Sequence, residues 1–218
     1  MNKIIFLFLS AFTLASAEVT RLPEEFTIAE RFLSFASTFD INTALEPLAV
    51  ARKRFLTLTT TFDLEDPNGL PLASAEARFF SWGTTVDVTD PTDQKIGWIE
   101  EEVFKIIPWA EYRVFNFEDR LVAMARMNFW GTQFDIYHPD HPEEIYATLN
   151  RPFFRCFYDH WTVQIKQTQI FEEKIIDPRL LIILAIYQTD GDNRRRIRAV
   201  IEQQLRNDQE YYDNRRYE

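Results

Sequence analysis

The chain has 218 residues, 46% of them hydrophobic, with 20 Phe and only 5 Gly, a composition that excludes disorder and permits one sizeable core. A single cysteine, Cys156, excludes an intramolecular disulfide, so cohesion rests on burial and backbone ladders. The net charge of −10 is uneven: residues 18–192 hold 16 Lys and Arg against 29 Asp and Glu, and residues 193–218 hold seven Arg against five acids, so the body should repel nucleic acid at long range and the tail could attract an anionic surface.

In chain order, Lys3, the apolar run Ile4 to Leu14 and Ala15-Ser16-Ala17 have the layout of a secretory signal over residues 1–17. The apolar run is far short of the ~20 residues of a membrane span. The mature chain is expected to start near Glu18, to be exported to a periplasmic or secreted location, and to hold one domain over 18–192 and an arginine-bearing tail over 193–218.

From Phe26 to Gln167 apolar and polar residues alternate with period two, the pattern of half-buried strands. Leu56 to Glu65 reads as one strand, and Asp66-Pro67-Asn68-Gly69 as its turn, Asn-Gly being a strong hairpin signal because both residues tolerate positive φ. Ala73, Ala75, Ala77 and Phe79 return on one face. Val86 and Val88, then Tyr112 and Val114, Phe134 and Ile136, and Trp161, Val163 and Ile165 repeat this grammar.

The rhythm is an internal repeat. Trp82-Gly83-Thr84-Thr85-Val86-Asp87 returns as Trp130-Gly131-Thr132-Gln133-Phe134-Asp135, and an apolar-Asp-apolar element with a following Pro starts at 62, 86 and 134. One unit is about one hairpin, so the chain should hold about six hairpins, roughly ten to twelve strands, closed to remove their edges. In this unit Gly bends the chain between strands, Trp covers core, and Asp faces outward between two inward apolars.

Asp177-Pro178-Arg179-Leu180 to Tyr187 breaks the pattern, being apolar all round. With Asp177 as N-cap and Pro178 at the first position it reads as a helix near 178–188, and a barrel of twelve strands needs such a plug. A thirteenth buried strand is the alternative. Beyond it, Ile197, Val200, Ile201 and Leu205 fall at helical spacing among arginines, an amphipathic helix for the barrel rim, or for a membrane surface or partner through Arg194, Arg195, Arg196 and Arg198.

Six such hairpins, Pro67-Asn68-Gly69-Leu70-Pro71-Leu72-Ala73, and the closing Asp-Pro-x-Leu-x-x-x-Leu-Ala-Ile resemble the LURP-one-related family over residues from about 26 to 190. That family shares its fold with the tubby C-terminal domain and phospholipid scramblases. The resemblance implies an all-β fold with a central helix: a closed antiparallel barrel of about 12 strands around a C-terminal apolar helix, without catalytic residues. The basic cluster of tubby domains and the cysteine-rich segment of scramblases have no counterpart in this sequence.

No Gly-x-Ser-x-Gly elbow, phosphate-binding glycine loop, dinucleotide fingerprint or Cys-x-x-Cys occurs. Two constellations carry chemistry. His138, Asp140 and His141, with Glu143 and Glu144, bring imidazole and carboxylate ligands for a metal into one loop, although a solvated turn accounts for them as well. Cys156, Asp159 and His160 are the residue types of a thiol nucleophile and its base, and need a turn at Tyr158-Asp159 to meet. The sequence thus points to an exported, non-enzymatic binding or interaction module, without cofactor and with a protein or lipid partner. Docking on a membrane through the arginine helix is one alternative, and a hydrolase built on Cys156 and His160 or on a metal at the His138 loop is the other.

Overall fold

The computed structural model describes residues 22–31, 37–55, 57, 59–78, 84–102, 111–152, 160–191, 203 and 206. Twelve strands run in order: β1 Glu25–Glu30, β2 Thr38–Asn42, β3 Pro47–Lys53, β4 Thr61–Glu65, β5 Pro71–Arg78, β6 Thr84–Thr89, β7 Lys95–Glu102, β8 Glu111–Asn116, β9 Leu121–Met127, β10 Gln133–Tyr137, β11 Ile145–Asn150 and β12 His160–Ile165. Helix α1, Gln169–Glu172, follows, and then α2 over residues 178–191. Each strand pairs antiparallel with the next, and β1 pairs with β12 from Glu25 opposite Gln164 to Ala29 opposite His160, so the sheet closes. Closure leaves no open edge, and the strand count agrees with the hairpin rhythm.

The interior is shaped by an alternation of large and small residues. Five hairpins pair an inward bulky residue with an inward small one: Ile41 with Ala49, Leu64 with Ala73, Val88 with Gly97, Val114 with Ala123 and Ile136 with Ala147. In each, the register shifts by a bulge at the very next residue of the first strand, which aims the strand end into its turn. The small residues leave room on the axis. Helix α2 occupies it, with every residue from Leu180 to Asp190 buried. A helix enclosed on all sides must be apolar all round, and this one is from Leu180 to Tyr187.

The described part of α2 is fastened at both of its ends. At its start Asp177 is the N-cap: its Oδ1 accepts from the Arg179 backbone N–H at 2.9 Å. At its far end Lys53 Nζ donates to both Asp190 oxygens, at 2.9 and 3.0 Å, and the Thr189 hydroxyl donates to the Ala185 carbonyl at 2.8 Å. The alternative of a thirteenth strand is thereby excluded.

Two repeated polar devices hold the outside. The turns starting at Asp66, Asp90 and Asn116 share one geometry. Oδ1 accepts from two backbone N–H groups, of Asn68 and Leu70, of Thr92 and Gln94, and of Glu118 and Arg120, at 2.7 to 3.1 Å. The fourth residue of each turn is left-handed: Gly69, Asp93 and Asp119 with φ of 84°, 62° and 60°. Asn68 is not left-handed, because these are turns with a one-residue bulge in which only the last position needs positive φ. Guanidinium–carboxylate forks recur likewise at Arg31–Asp40, Arg54–Asp63 and Arg78–Asp87, each nine residues apart and half-exposed. Their aspartates hold the three guanidinium groups above their ordinary value.

Two expectations change. The strand expected from Leu56 begins at Thr61, because the preceding residues join β3 to β4. Trp130 does not cover core: it is exposed beside Phe129 in the β9–β10 turn, where Gly131 takes φ of 66°. Trp82 and Gly83, the other copy, lie outside the described residues, as do the signal segment 1–17 and most of 193–218.

Candidate functional site

Because α2 fills the barrel, a ligand has no room on the axis, and the concave space lies where the helix enters. There a cavity of about 540 Å³ opens between the start of β5, the β6–β7 and β8–β9 turns, α1 and the link to α2. Its walls include Leu72, Ile96, Phe171 and Ile176, all buried, with half-exposed Ile175 and exposed Phe117 at the mouth. The volume lies within the ~300–1,000 Å³ of small-molecule sites, which are mostly apolar with few polar groups.

Three cations reach this cavity. Arg179 is fixed by forked bonds to Asp177, Nε and Nη2 donating at 2.9 and 2.7 Å, while Nη1 donates to the Leu72 carbonyl at 2.9 Å. Lys95 is bound by Asp119, which also accepts from Trp98 Nε1 at 2.9 Å; these two donors hold the Asp119 carboxyl below its ordinary value. Lys174 differs. It stands at φ of 56° just past α1, its backbone N–H donates to the Phe171 carbonyl at 3.1 Å, and its exposed ammonium has no hydrogen-bond or ion-pair partner among the described residues. A left-handed residue past a helix end is a C-cap device, and it places Lys174 in the cavity lining near Glu172 and Asp177.

The matching region is nearly the whole barrel. The model of the LURP-one-related family matches residues 24–187, from just before β1 to within α2. The chain belongs to the LURP-one-related family. Its structure is similar to the X-ray structure of a protein from Arabidopsis thaliana, with a TM-score of 0.54 at 14% identity over 79% of this chain and 94% of that one. At that identity the likeness speaks to fold alone. Among curated proteins none matches this LURP-one-related chain.

Of the site residues expected from sequence, the described ones lie outside this cavity of the LURP-one-related barrel. His138 and His141 occupy the β10–β11 turn with ring centres 5.1 Å apart. His138 Nδ1 accepts from the Asp140 backbone N–H at 3.1 Å, and His141 Nδ1 stands 3.4 Å from Glu143 Oε1. Among the described residues no three His, Cys, Asp or Glu side chains are gathered to hold a metal. His160 opens β12 and is exposed, while Cys156 and Asp159 lie outside the described residues, as do Arg194, Arg195, Arg196 and Arg198. The cavity was not foreseen, because its lining spans Pro71 to Arg179 and no single stretch of sequence carries it.

Proposed function

We propose that the chain is an exported, non-enzymatic binding module of the LURP-one-related type, whose ligand site is the cavity at the helix-entry end. The observation that carries this reading is the pairing of an open, partly apolar cavity, walled by buried Leu72, Ile96, Phe171 and Ile176 and also by Asp90, Glu172 and Asp177, with Lys174, a cation without a partner among the described residues. An unpaired ammonium over an apolar wall suits a small molecule with an apolar body and one carboxylate or phosphate group. Support for export is the signal-like layout of Lys3 to Ala17, and support for a non-enzymatic role is the sequence's lack of a nucleophile elbow, phosphate loop or dinucleotide fingerprint.

The test is the melting temperature of the chain from Glu18 onward in the presence of medium-chain carboxylates and of alkyl phosphates. A ligand at ~100 times its dissociation constant adds ~2.7 kcal/mol, enough for a clear rise. Lys174→Glu should remove the rise while leaving the unliganded melt unchanged. No shift with either class, or the same shift in the variant, sinks the cavity as the site. N-terminal sequencing of secreted protein, expected to begin near Glu18, tests export separately.

A further inference from the structure

Two residues of the cavity lining are not what their backbone asks for. The turns starting at Asp66, Asp90 and Asn116 share one hydrogen-bond pattern, yet their second positions hold Pro67, Pro91 and Phe117. Proline suits that position because its ring pre-sets φ at about −65° and the turn needs no N–H there. Phenylalanine brings no such advantage. Its ring stands 61% exposed at the cavity mouth, where so large an apolar side chain adds nothing to the fold by burial.

Lys174 departs in the same way. Its N–H donates to the Phe171 carbonyl at 3.1 Å, and the next N–H, of Ile175, donates to the Ile170 carbonyl at 3.0 Å, so that the two bonds close α1. This closure places one residue in the left-handed region, a position that suits glycine or asparagine. Apart from Lys174, the left-handed residues other than glycine among the described ones are Asp93 and Asp119, of a type that tolerates the region better than a long side chain does. Ile175 follows, 41% exposed and in the same lining.

Both departures fall on one cavity, and together they describe one kind of ligand. We infer that Phe117 and Lys174 are kept against the local preference of the chain because they select the ligand, a single-chain anionic amphiphile whose charge meets Lys174 and whose chain lies against Phe117 and Ile175. The inference rests on the cavity being the ligand site and adds what separates one ligand from another. Affinity should grow with chain length, by up to about fourfold for each methylene taken out of water. The charge belongs at one end only. Arg179 is held by Asp177 and the Leu72 carbonyl, and Lys95 by Asp119. A second anionic group would therefore meet Asp90, Glu172 and Asp177 without a cation of its own, which rejects it.

The experiment is calorimetric titration of the chain from Glu18 onward with butyl, hexyl and octyl phosphate below their micelle concentrations, and with octanoate and octanedioate. Affinity is expected to rise at least about tenfold from butyl to octyl phosphate, and octanedioate to bind more weakly than octanoate. Phe117→Pro gives the third turn the residue of the other two. It should keep or raise the melting temperature and yet flatten the dependence on chain length. Lys174→Gly should likewise keep or raise the melting temperature, while lowering affinity for all three phosphates alike by about tenfold. If no phosphate binds the parent chain, the cavity itself fails as the ligand site and the inference falls with it. Binding without a chain-length trend, a trend that survives Phe117→Pro, or octanedioate bound as well as octanoate overturns the selection and leaves the site standing. A melting temperature lowered by both substitutions overturns it too, because the two residues would then be serving the fold.

Discussion

Gly97 shows how narrow the fit between barrel and helix is. A Cβ built on it would lie 2.2 Å from the Phe115 carbonyl oxygen and 2.9 Å from Leu180 Cδ1, one contact with the neighbouring strand and one with the plug. Neither a ladder-bonded backbone nor a side chain packed in the core can retreat, so Gly97→Ala should cost at least about 3 kcal/mol by urea unfolding. A loss below 1 kcal/mol would mean that β7 and α2 yield more than close packing permits. The turn aspartates act differently, through charge. Backbone donation from Leu70 is the main cause holding Asp66 below its ordinary value of 3.8; at Asp90 burial alone would raise the value, but the Thr92 hydroxyl and the Gln94 and Thr92 N–H groups outweigh it. A depressed carboxylate adds stability that is complete above its unfolded pKa and is lost as pH falls through the folded one, here from about pH 4 downward. The third turn performs the same bonding with Asn116, an amide that does not titrate. Asp66→Asn with Asp90→Asn should therefore keep the fold at neutral pH and flatten the fall of the urea midpoint between about pH 4 and pH 2; an acid limb as steep as the parent's would remove these turns as its source. That the turns exist was legible in Asp66-Pro67-Asn68-Gly69. That the first residue, not the Asn-Gly pair, organises them was not, since local sequence does not display which N–H groups an aspartate will reach.

Among the elements, α2 and the exterior forks are the two candidates for what holds the barrel closed. Leu184 is fully buried on the axis, and Leu184→Ala deletes contacts on all sides of a site that cannot collapse, for an expected ~2–5 kcal/mol. Arg54 forms a forked pair with Asp63 but is half in water, so Arg54→Ala should cost no more than about 1 kcal/mol. Denaturant midpoints of the two variants rank the contributions, and a costlier Arg54 change would shift the weight to the outer surface. The hairpin rhythm and the apolar segment from Leu180 to Tyr187 were legible because strand alternation and all-round hydrophobicity are local signals. The recurring small residues Ala49, Ala73, Gly97, Ala123 and Ala147 were in plain view too, yet their meaning depends on a helix that enters only after the twelfth strand.

At the scale of the molecule, the barrel and its plug are interdependent, and this decides how the chain must fold. The inward alanines that admit α2 are too short to meet across the axis without it, so an empty barrel of this circumference would leave its apolar lining, Phe39, Phe62 and Phe134 among it, facing a large void. Closure also joins β1 to β12, a pairing of high sequence separation whose loop entropy is repaid only once the interior is filled. The helix is the last part of the barrel in chain order, so the strands cannot settle before it arrives. A chain ending at Ile176 should then lack a cooperative thermal transition and bind a hydrophobic dye, rather than form a slightly weaker barrel. The same dependence explains why the cavity escaped the sequence: its walls come from β5, two turns, α1 and the entrance of α2, which become neighbours only when the plug is seated. A sharp, dye-free melt of the truncated chain would show that the twelve strands close on their own, and the cavity would then have to be reconsidered as a feature that α2 decorates instead of creates.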